Sequence, residues 1–70
     1  MAKDLKRSVS IAGHRTSISL EPEFWNALTR AAKSRNQSVA ALVAEIDQTR
    51  DDRNLSSAIR VWVLNSITLP

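Results

Sequence analysis

The sequence predicts a mainly helical fold with one short strand per subunit, a helix–turn–helix pair after it, and a further C-terminal helix. Three observations predict it. Arg15-Thr16-Ser17-Ile18-Ser19-Leu20 alternates polar and apolar residues, the period-two signature of a strand. Pro22 to Asn36 and Ser38 to Arg50 then carry apolar residues at helical spacing. A lone strand of about six residues is unstable in water, so it must borrow a partner, and the simplest donor is a second copy of the chain.

In the 15–20 strand, Thr16, Ile18 and Leu20 share one face and Arg15, Ser17 and Ser19 the other. The first face must cover the helices; the second is wholly polar. Upstream, Ser8-Val9-Ser10-Ile11 also alternates, and Ala12-Gly13-His14 follows it with the only glycine of the chain. A glycine between two alternating runs reads as a turn or bulge. Residues 8–11 therefore either fold back on 15–20 as a hairpin or continue outward as an arm, and the sequence leaves both open. Residues 1–7 are polar and charged and read as a flexible arm.

Pro22 suits the first helical position, where a missing N–H does no harm. Glu21 and Glu23 complement the positive helix end. Phe24, Trp25, Leu28, Ala31 and Ala32 form its apolar stripe, and Asn36 suits a left-handed stop. Ser38 is a good N-cap for the second helix, on which Val39, Leu42, Val43 and Ile46 repeat at i, i+3, i+4 and i+7. After a charged connector, Asn54 can cap a third helix whose apolar side is Leu55, Ala58, Ile59, Trp62 and Val63, widened by Val61 and Leu64. The chain is thus one domain: an arm at 1–7, a strand region at 8–20, a helix pair at 22–50 and a third helix at 54–67.

Seventy residues without cysteine exclude disulfides, thiolate metal sites and a Cys nucleophile. One histidine, His14, cannot build a zinc site without carboxylate help at suitable spacing. No cofactor or metal is implied. There is no Gly-rich phosphate loop and no Ser/His/Asp constellation, and Asp51-Asp52 reads as a solvated pair, so an enzyme is not expected. A core this small rarely supplies more than roughly 3–5 kcal/mol of net stability, which again points to a homodimer. Ile18, Leu20, Trp25, Leu28, Leu42, Val43 and Ile46 are its expected core. Phe24, Trp25 and Trp62 lie on apolar stripes, which places them in packing rather than on a base-stacking platform.

The formal charge is +3 and the pI about 10.2. Lys3, Lys6, Arg7 and Arg15 gather in the first 20 residues against Asp4 alone. That asymmetry turns the strand end toward a polyanion. A paired two-stranded ribbon on a helical base fits the major groove of double-stranded DNA. No apolar run approaches the roughly 20 residues of a bilayer span, nor does the N-terminus carry a signal-peptide stretch. The expected location is cytoplasmic, on the nucleoid.

These residues resemble a known family. Arg15 to Leu20, the proline-started helix and Asn36-Gln37-Ser38-Val39 resemble the ribbon-helix-helix DNA-binding proteins of the Arc, MetJ and CopG type. The wider stretch, with Ala12-Gly13-His14-Arg15-Thr16-Ser17 and Leu55-Ser56-Ser57-Ala58-Ile59-Arg60, looks like a bacterial branch of short members. The resemblance implies an intersubunit antiparallel ribbon whose outward side chains, here Arg15, Ser17 and Ser19, touch base edges. It implies a phosphate held by backbone N–H groups at Ser38 and Val39. Asn36 stands where the family often has glycine, and the third helix is an addition to the minimal fold.

Arg35 beside that turn, with Lys6, Arg7 and His14, is the expected set of flanking phosphate contacts. The function expected is a sequence-specific, dimeric transcriptional repressor or autoregulator, able to assemble to higher order on DNA. Two alternatives stand beside it. One is an antitoxin-like interaction module whose third helix binds a protein partner. The other is a dimeric scaffold without DNA contact.

Overall fold

The computed structural model of the chain describes residues 5–68. Its elements run β1 (Leu5–Ile11), β2 (His14–Leu20), α1 (Pro22–Ser34), α2 (Val39–Gln48) and α3 (Leu55–Thr68). The mainly helical ribbon-helix-helix arrangement with a third helix is present. The single strand per subunit is corrected. β1 and β2 pair antiparallel within one chain, in a register running from Leu5 opposite Leu20 to Ile11 opposite His14. β2 therefore has its partner at home, and the reason for a second copy to complete the ribbon falls away. β1 also begins at Leu5, so Lys6 and Arg7 belong to the ribbon rather than to an arm. The remainder of the expected arm, residues 1–4, lies outside the described residues.

The turn explains how the hairpin closes. Ala12 has φ 52° and Gly13 φ 82°. Two left-handed residues in a two-residue connection make the turn type whose twist matches paired strands. Gly13 takes this conformation freely. Ala12 adopts it against its own preference, which costs roughly 1–2 kcal/mol.

Residues opposite each other across the ladder share a face. The register therefore puts Ile11, Ile18 and Leu20 on the inner face, where they are buried with Leu28 and Ala32 of α1, Leu42, Val43 and Ile46 of α2, and Ala58, Ile59 and Val63 of α3. Six of the seven residues expected at a dimer core are thus buried within one chain; Trp25 keeps half-exposed surface. The apolar side of α3 is narrower than expected. Leu64 is 56% exposed and Ile67 69%.

The helix ends are built locally. The N–H of Gln37 donates to the Ala32 carbonyl at 2.9 Å and that of Asn36 to Lys33 at 3.1 Å, with Asn36 left-handed at φ 56°. This pair of bonds satisfies the last carbonyls of α1 and turns the chain out of the helix. Ser38 Oγ accepts from the Ala41 N–H at 3.0 Å, and Asn54 Oδ1 from the Ser57 N–H at 2.8 Å, so both expected caps are made.

Candidate nucleic-acid interface

The outer face of the ribbon follows from the register. Lys6, Ser8 and Ser10 stand opposite Ser19, Ser17 and Arg15. Five of these are exposed and Ser19 is half-buried. The face holds two cations, four hydroxyls and no acid. Strands lie about 4.8 Å apart, so a two-stranded ribbon is narrower than a groove about 12 Å wide.

Three of these positions, Arg15, Ser17 and Ser19, were expected from sequence to line the face. Lys6 joins them rather than standing aside on an arm. Ser8 and Ser10 were not expected there; their signal was the second alternating run, whose fold the sequence left open.

Arg7 lies on the opposite face. Its guanidinium sits 4.4 Å from the centre of the Trp25 ring, where the cation meets the electron-rich ring face. This contact shields Trp25 and holds Arg7 away from the outer surface. His14 is exposed at the ribbon's turn end, on the inner-face side with Thr16.

α3 secures the far end of β2. The Ser19 N–H donates to Ser56 Oγ at 3.1 Å. Arg60 Nη2 donates to the Ser19 carbonyl at 3.2 Å and Arg60 Nε to Glu21 Oε1 at 2.8 Å. At Ser19 the edge groups of β2 are thus taken up by side chains of α3 rather than left open for another strand. Sequence reasoning missed this role because the partners lie 37 to 41 residues apart.

Glu21 was expected to complement the start of α1. It makes no side-chain cap there; its carboxylate turns to Arg60. That hydrogen bond first, then the bond to its own backbone N–H, hold its pKa below the ordinary value. A carboxylate whose pKa is lower folded than unfolded stabilises the fold above the unfolded pKa, and that contribution disappears as pH falls through the folded value. Arg60→Met is therefore expected to lower the thermal midpoint at neutral pH. The gap to the parent should narrow as pH falls from about 5 to about 3. A gap that stays constant over that range would show that the loss came from packing and from the bond to the Ser19 carbonyl rather than from the Glu21 pair.

The start of α2 is less free for an anion than the sequence implied. Arg35 Nε donates to Gln37 Oε1 at 3.0 Å, and Arg35 Nη2 reaches Glu45 Oε1 at 3.4 Å. Its guanidinium also lies 5.7 Å from the centre of the Trp62 ring. Gln37 Nε2 donates to the same Glu45 carboxylate. Any phosphate at Arg35 would compete with Glu45. Ser38 is exposed and Val39 half-buried. The other end of α2 adjoins the ribbon's turn, where Asp47 and Arg50 share a hollow with Ile11, Ala12, His14 and Thr16. At 1.5 Å per residue the cap at Ser38 stands roughly 14 Å along the helix from Asp47.

A hairpin with an exposed polar face, set on a helix–turn–helix pair with capped ends, defines a class of small domains that present a ribbon. A family model described as the ribbon-helix-helix domain matches residues 5–67. The chain belongs to the ribbon-helix-helix family. Its members are generally DNA-binding transcription regulators or antitoxins, typically without catalytic activity, and they generally bind DNA as dimers. No curated protein and no solved structure matches the chain. Among the described residues no helix is long and apolar enough to cross a membrane.

Proposed function

We propose that this chain is a sequence-specific double-stranded DNA-binding protein, a bacterial repressor or autoregulator that acts on the nucleoid in the cytoplasm. The observation that carries the reading is the outer ribbon face, with Lys6 and Arg15 among four serines and no acid. Arg15 offers the planar fork that pairs with guanine O6 and N7. Ser17, Ser19, Ser8 and Ser10 supply short donors and acceptors that read several bases. Lys6 neutralises backbone phosphate. The first N–H groups of α2, at Ser38 and Val39, form a second phosphate contact. Arg35, Arg7 and His14 add to the field from further out.

In this reading the protein works as a homodimer on two-fold related half-sites. Each copy brings a complete ribbon, so dimer contacts lie elsewhere on the surface. The chain measures 32 × 30 × 25 Å, and two copies side by side carry their ribbons about one groove repeat apart, roughly 34 Å.

Electrophoretic shift of a random-sequence duplex in rising salt tests the reading. Neutralising about six phosphates gives a slope near −5 in log K against log salt. No shift even at low salt would end the DNA reading. The second reading, a protein partner held by α3, would then stand, because Leu64 and Ile67 leave an apolar end on that helix.

A further inference from the structure

We infer that the hollow under the ribbon's turn is a binding site for one phosphate group, carried by a phosphodiester of a bound duplex or by a free phosphorylated small molecule. The duplex source rests on the proposed function; the small-molecule source does not. The hollow encloses about 300 Å³, at the lower end of the range for ligand sites. It opens between β2, which gives His14 and Thr16, the end of α2, which gives Asp47, and the connector before α3, which gives Arg50 and Asn54.

Its polar groups are donors in surplus. Arg50 Nε donates to Asp47 Oδ1 at 2.6 Å and Arg50 Nη1 to the Arg53 carbonyl at 2.7 Å. These bonds orient the guanidinium and leave the Nη2 hydrogens without a partner among the described residues. Asn54 spends its Oδ1 on the Ser57 N–H, which leaves its amide hydrogens unspent. The His14 imidazole and the Thr16 hydroxyl make no hydrogen bond among the described residues. The one anion in the wall, Asp47, is already paired with Arg50.

A concave site with several unspent donors and a neutralised acid needs a ligand with several acceptor oxygens and negative charge. A phosphate meets this, because the unspent Nη2 hydrogens of Arg50, the Asn54 amide, the His14 ring and the Thr16 hydroxyl can each donate to a different one of its oxygens. The hollow is larger than a lone tetrahedral ion, so there is room for an ester substituent. The start of α3 at Asn54 adds a positive helix end in the same place. This site differs from the expected one at Ser38 and Val39, at the other end of α2.

The test is NMR titration of the full chain with inorganic phosphate, at constant ionic strength against chloride. Saturating shifts at the His14 ring and the Arg50 Nε–H are expected. The double variant His14→Ala/Thr16→Val removes an exposed ring and one hydroxyl while keeping a strand-forming residue, and should weaken phosphate binding about tenfold or more. Arg50→Gln is a harsher variant, since it also frees the connector. Arg50→Gln, which removes the hollow's one lysine or arginine, separates the sources in the duplex salt titration. A slope shallower by about 0.9 shows that a duplex phosphate occupies the hollow. An unchanged slope, with phosphate shifts present in the parent, assigns the site to a free phosphorylated ligand. Duplex binding absent altogether, with the shifts intact, ends the proposed function and leaves the inference standing on the second source. No saturable shift in the parent, or equal phosphate affinity in the double variant, overturns the inference.

Discussion

Leu20→Asp is expected to abolish the folded state at room temperature. Leu20 ends β2 on the inner face and has no exposed surface. Its removal forfeits about 1.5–3 kcal/mol of burial. The carboxylate that replaces it is placed within the buried apolar cluster, and a buried, unpaired charge costs several kcal/mol more or forces protonation. A domain of this size has roughly 3–5 kcal/mol to lose. Far-UV circular dichroism and one-dimensional proton NMR should therefore report an unfolded chain. Ser17→Asp is the control. It lies on the opposite, exposed face of the same strand, and should leave the spectra unchanged. A cooperative transition in Leu20→Asp within a few degrees of the parent would mean the two faces of β2 have been exchanged.

That outcome bears on how much of the fold the sequence carries. Features set by local chemistry were legible. Alternation in residues 15–20 predicted β2 within one residue of its start, because a half-buried strand must alternate. Asn36, Ser38 and Asn54 act through groups within a few residues of themselves, so their roles could be read directly. The hairpin could not be settled in the same way. Its turn has Ala12 at a left-handed position, where Asn, Asp or Gly is the usual signal. Gly13 alone marks a turn or bulge without fixing a hairpin, so from sequence β2 reads as partnerless and a second chain is its simplest donor. The contacts of Ser56 and Arg60 with Ser19 and Glu21 have no spacing rule behind them, since they exist only once α3 packs across the end of the ribbon.

The same division applies to the candidate interface. Arg15, Ser17 and Ser19 were legible because a strand has two faces and one of them was apolar. Ser8 and Ser10 became part of the face only through the register with β2. Lys6 and Arg7 are neighbours of like charge, yet the pleat sends them to opposite sides, one to the open face and the other onto Trp25. Composition treats the two alike; the pairing separates them.

Arg15→Ala should separate base reading from charge. Arg15 is exposed and makes no hydrogen bond, ion pair or ring contact among the described residues, so its loss should leave the fold intact. If its guanidinium reads guanine, binding to a selected operator weakens by about 1–3 kcal/mol, roughly 5- to 150-fold, while random duplex is affected far less. Lys6→Ala should behave differently, weakening both duplexes alike and reducing the salt slope by about 0.9. The two variants stand on one face of the same ribbon, so comparing them cancels any general effect of disturbing it. Equal losses for both duplexes with Arg15→Ala would make this residue a phosphate contact. No loss for either would remove the ribbon face from the interface, and the polar side of β2 would then do no more than keep the hairpin soluble.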